Sequence, residues 1–194
     1  MNVISQMILQ QVTGVAARQL AQRFGVSEST AQAAVQVAVP LLVAALARNA
    51  SQPAGAEALH DAVNNDHDGS VLDNVLGHLS NPDAADGAGI LSHIFGGQRA
   101  EVENNLAQAT GLEPSAAGGL LETMAPLVMG ALGREQQQQG LDPSGLAEFL
   151  GQQQQAQAAQ PGMVGALSSL LDSNNDGGVM DDIGRIAGNF FKRD

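Results

Sequence analysis

The sequence has no cysteine, no tryptophan and no tyrosine, and only 8 basic residues among 194. Without thiols it can form no disulfide, no thiolate metal site and no cysteine nucleophile. Aromatic residues amount to 3 %, so any core must be built from Ala, Leu, Val, Ile and Met. Small side chains of that kind let helices approach closely. The 8 Lys and Arg face 20 Asp and Glu, giving a net charge of −12. Tracking a nucleic-acid backbone or an anionic lipid surface needs a basic footprint, which this chain lacks. Metal cations and basic partners stay compatible with the acidity. No basic segment precedes an apolar run at residues 1–6, so a secretory signal is not expected. These absences together point to a cytoplasmic protein with no membrane attachment.

Hydrophobic residues make up 44 %, enough at this length for one good core or two small ones. They do not alternate with polar residues in strand fashion, and an all-α fold is expected. One stretch organises the rest: Pro40-Leu41-Leu42-Val43-Ala44-Ala45-Leu46-Ala47-Arg48. It returns 86 residues later as Pro126-Leu127-Val128-Met129-Gly130-Ala131-Leu132-Gly133-Arg134. Each copy lies in a run almost free of charge, 33–47 and 119–133. A helix apolar on every side has no face for water and belongs at the centre of a core. At about 15 residues, each interrupted by Pro and by Gln36 or Glu122, the runs fall short of the ~18 wanted for a membrane span.

In order, a helix is expected over residues 2–24, stopped by Gly25. A second, capped by Ser27, runs to about 47, with Pro40 kinking it or splitting it at Val39. Short helices follow over 54–63 and 71–79, separated by a polar loop at 64–69. Asn81-Pro82-Asp83, with Gly87 and Gly89, reads as a linker. The plan then repeats with helices over 90–95 and 98–110, a second central helix from Pro114, and helices over 142–150, 163–171 and 179–191. Gly25 with Gly111, Ser29 with Ser115, and Arg48 with Arg134 keep the offset of 86 set by the two prolines. The expected architecture is all-α: a tandem duplication of a multi-helix unit with two central Pro-containing apolar helices. The first repeat takes 1–80, the linker 81–89 and the second repeat 90–194, with a Gln-rich insertion at about 135–160. The Gln tracts themselves read as solvated helix ends or flexible connectors.

The most chemical feature is a repeated acidic loop at 64–74 and 172–182. Asn64, Asp66 and Asp68 in the first copy, and Asp172, Asn174 and Asp176 in the second, place side-chain oxygens at alternate positions before a Gly. That is the first half of a calcium loop, since a hard cation needs several oxygens and the Gly permits a sharp turn. The closing bidentate acid is missing: Val75 and Ile183 stand there. Asp73 in one copy, Asp181 and Asp182 in the other, come one or two residues early and would have to close the shell. Turn-making and helix capping account for the same residues without any metal.

Residues 20–31 and 106–114 follow the spacing of a helix–turn–helix, yet the second helix offers Glu28 and Gln32 rather than cations. His60, His67, His78 and His93 have no counterparts in the other copy and read as incidental. No nucleophile–base pair, phosphate-cradling loop or zinc spacing is present.

The segments Ile90-Leu91-Ser92-His93-Ile94-Phe95-Gly96-Gly97, 125–133 and 171–191 together resemble the bacterial domain-of-unknown-function family 937, related to YidB-like proteins. The resemblance covers the second half, and more weakly the first, which lacks the Phe-Gly-Gly element. It implies an all-helical domain and brings no activity, cofactor or catalytic residue with it. The expected function is therefore a non-enzymatic interaction or scaffold protein, with an unknown protein partner or a second copy of itself. The alternatives are a calcium-binding module and a nucleic-acid-binding protein.

Overall fold

The computed structural model describes residues 3–158, which form nine α-helices and, among the described residues, no strand. The first four are α1 (Val3–Gln11), α2 (Val15–Phe24), α3 (Glu28–Ala50) and α4 (Pro53–Asp66). A 3-10 turn at Ser70–Asn74 leads into α5 (Val75–Ser80). Then come α6 (Ala84–Phe95), α7 (Arg99–Thr110), α8 (Pro114–Gln139) and α9 (Pro143–Ala158).

Helices α3 and α8 carry the interior because neither has a polar face along its middle. Residues 38–47 and 123–133 are buried without interruption. The two pack against each other, with α1, α2, α4, α6, α7 and α9 laid around them. One continuous apolar cluster runs from Ile4 to Leu150, so both halves of the chain share a core. The helices are longer than the apolar runs, 23 and 26 residues, and by length and composition either could cross a membrane. Here 72 % and 83 % of their most apolar windows lie inside the protein, against other helices.

Pro40 and Pro126 sit inside unbroken helices, so neither splits its helix. Each removes one backbone donor and leaves the carbonyl four residues earlier without its usual partner. At Pro126 that carbonyl belongs to Glu122, and Gly87 of α6 lies directly on it: a Cβ there would come 2.1 Å from the oxygen. Burial on all sides holds both helices together where an isolated peptide would break.

Two other expectations change. The first helix is two helices, parted at Gly14, whose φ of +54° favours glycine. The linker at 81–89 is mostly helix: Asp83 accepts from the amides of Ala85 and Asp86 and starts α6 at Ala84. The Gln tracts lie in helices, closing α8 and falling in the second half of α9, and most of their side chains are exposed, as solvated helix ends are. Gln136 and Gln153 are buried. Helices expected over 163–171 and 179–191 lie outside the described residues.

Two helix ends are built alike. Gly25 and Gly111 close α2 and α7 in the left-handed conformation, their amides bonding to Ala21 and Ala107.

Candidate functional site

The acidic loop 64–74 folds back onto α8. Gly69 lies against Gly130, and a Cβ on Gly133 would come 2.0 Å from the carbonyl oxygen of His67. Close backbone approach to α8 sets the course of the loop. Its oxygens have the following surroundings. Asn64 belongs to α4; it donates to His60 Nδ1 at 3.1 Å and accepts from Gln136 Nε2 at 3.1 Å. Asp66 ends α4 in solvent. Asp68 accepts from the Ser70 amide at 2.9 Å, and this bond, helped by the Ser70 hydroxyl, holds its carboxyl below the usual carboxylate range. Asp73 pairs with Arg134 of α8. Among the described residues no group of three or more His, Asp or Glu is arranged to hold a metal ion. Asp172, Asn174, Asp176 and Asp182, the second half of the expected calcium set, lie outside the described residues.

Two cavities open beside this loop, and His67 lines both. The first is a crevice of about 110 Å³ whose walls include Asp66, Asp68, Asp83, Asp86 and His78, with Pro126 behind. Among the described residues no Lys or Arg lines it. His78 is oriented by donating through Nε2 to the Thr123 carbonyl at 2.9 Å, next to the proline of α8. The second cavity, about 200 Å³, lies where α3, α4, α6 and α8 meet. Leu46, Leu59, Ile94 and Met129 form its buried lining, and His93 stands in solvent at its edge. The His67 side chain is only 9 % exposed, with Nε2 3.7 Å from the Asp86 carboxylate.

Sequence reasoning took His67 and His78 as incidental because they have no counterparts 86 or more residues on. Asp83 and Asp86 were placed in a linker. The usable signal was Asp83 as an N-cap, two residues before Ala85: it starts α6 early enough to carry Asp86 and Gly87 onto α8.

A third feature is a groove of about 330 Å³ between the α1–α2 turn and the start of α5. Leu72, Val75 and Ala16 lie buried along it, while Val15 and Leu76, also lining it, are 61 % and 45 % exposed.

The helix–turn–helix segment is α2, Gly25 and α3, with the Ser27 hydroxyl accepting from the Thr30 amide at 3.0 Å. Its second helix is buried without interruption over 38–47, leaving its first turns, Gln36 and Arg48 in solvent. The nearby cation Arg18 is paired with Glu28 at 3.0 Å.

Compared with known proteins, the chain matches the family model described as bacterial protein of unknown function (DUF937) over residues 6–135. That span holds the first half from residue 6 onward, together with the 90–97 and 125–133 segments. It stops short of 171–191, so the likeness lies further toward the N-terminus than those segments alone indicate. No curated protein and no solved structure matches the chain. With about two thirds of its length matched, the chain belongs to the DUF937 family of bacterial proteins of unknown function.

Proposed function

We propose that this chain is a non-enzymatic interaction protein, and that the groove between the α1–α2 turn and α5 seats an apolar protein surface, that of a second copy. One observation carries this reading: Val15 and Leu76, two large hydrophobic side chains held well out in solvent, line the same groove. Contiguous apolar surface of this kind is what association removes from water. Gln11, Thr13, Asp73 and Asn74 line the groove as well and supply the polar rim that such contacts have.

Two copies each carrying −12 repel one another, so the contact strengthens as salt screens the charge. Sedimentation velocity at about 0.05 M and about 0.5 M salt tests it. The expected result is a dimer whose share rises with salt, and a monomer for the Val15→Glu, Leu76→Glu double variant with unchanged far-UV circular dichroism. A wild type that is monomeric at both salts overturns the proposal, as does a dimer indifferent to the two substitutions.

The same reading takes the chain as a tandem duplication. Its support is the common offset of 86 between the two prolines, between Gly25 and Gly111, and between their acceptors Ala21 and Ala107. The helix lengths run parallel as well: 10 and 12 residues for α2 and α7, 23 and 26 for α3 and α8, 14 and 16 for α4 and α9.

A further inference from the structure

The apolar cavity among α3, α4, α6 and α8 is a different place from the interaction groove, and its chemistry is different. We propose that it binds a small organic amine, with the hydrocarbon body inside the cavity and the ammonium group at His67.

Three observations combine. The first is size: at about 200 Å³ the cavity exceeds the ~150 Å³ apolar cavity known to take up benzene. A body of about six carbons therefore fits. The second is His67. Its side chain is about nine-tenths buried and lines both the cavity and the acidic crevice, with Nε2 3.7 Å from the Asp86 carboxylate. A head group bound beside it stands where the apolar cavity meets the carboxylates. The third is charge. His67 also lines the crevice that carries Asp66, Asp68, Asp83 and Asp86, and among the described residues no Lys or Arg lines either cavity. Arg134, whose side chain lies against Gly69 of the loop, is paired with Asp73. A carboxylate ligand would meet like charge there, whereas an ammonium would meet opposite charge.

Leu46 and Met129 come from the two central helices, and Leu59 and Ile94 from α4 and α6. The cavity therefore exists only in the assembled bundle.

The probes are hexylamine, hexanol and hexanoate, which share a chain and differ in head group. Each is titrated at neutral pH into the whole protein, following the methyl resonances of Met129 and Ile94. Hexylamine is expected to give saturable shifts, with hexanoate binding at least tenfold more weakly and hexanol in between. Asp86→Asn should weaken hexylamine several-fold and leave hexanol unchanged. Ala62→Leu should fill the cavity and abolish binding of all three. If that variant does not fold, Ala58→Leu, which starts from the exposed side of α4, serves in its place. The proposal falls if hexylamine gives no saturable shift, as it would were a side chain already seated in the cavity. It falls equally if hexanoate binds as well as the amine, or if binding survives in a folded cavity-filling variant.

Discussion

Gly133 shows how a single atom decides the course of a loop. Replacing it with Ala in a helix interior ordinarily gains about 0.5–1 kcal/mol through the backbone. Here the new Cβ would stand 2.0 Å from the His67 carbonyl oxygen, a backbone atom that cannot swing aside. Overpacking of that sort costs about 1–3 kcal/mol, so the clash wins. Gly133→Ala is expected to lower the melting temperature, whereas Gly151→Ala, with open space around its would-be Cβ, should not. Asp68 makes a second test at this scale. Its carboxyl is held below its ordinary range by the Ser70 amide, so its charged form stabilises the loop above the unfolded pKa of about 4. That contribution disappears as pH falls through the lower, folded value. Melting curves of the wild type and Asp68→Asn should therefore converge in acid and separate toward neutrality; a constant gap would contradict the assignment. The residue types in this loop were legible in the sequence, and the Asp-Gly turn along with them. Their partners were not, because Arg134 and Gln136 reach the loop only across the core.

At the scale of elements, most helix positions followed from apolar spacing and caps, and the two central helices from their lack of any polar face. The misses have local causes. Gly14 breaks the first helix where only the backbone angle matters, and a Gly inside an apolar pattern does not announce that. Pro40 was expected to kink its helix or divide it, and burial on all sides keeps that helix undivided despite one lost hydrogen bond. Gln is a good helix former, so of the two readings of the Gln tracts, helix ends or connectors, the helical one holds. Glu122 looked out of place in an apolar run, and its partner explains it. Arg99 donates to Glu103 at 2.7 Å and to Glu122, joining α7 to α8, and the Glu103 bond raises the Arg99 pKa further. The three side chains are only about a quarter exposed or less, so the pairing is worth more than a surface ion pair. Arg99→Met should cost about 1–3 kcal/mol in denaturant unfolding, since it leaves two carboxylates beside the core without their cation. A loss below about 0.5 kcal/mol would place the triad among ordinary surface pairs.

For the molecule as a whole, the sequence carried the all-helical class and the hub, and left open whether the hub served one core or two. That question is tertiary: it turns on α3 meeting α8 and on α9 crossing back to α3 and α4. The same is true of the apolar cavity, whose lining spans residues 46 to 129 and has no signature in any one stretch.

Because α3 and α8 shield one another, each half is the other's missing interior. A chain cut between Asn81 and Pro82 should yield two pieces that aggregate or stay unstructured when made separately. Mixed during refolding, they should reconstitute a helical complex in equal proportion, with a cooperative melt. Complementation of that kind, read by circular dichroism and light scattering, would make the protein an obligate pairing of its own two parts. A piece that folded alone would show instead that its central helix can do without the other.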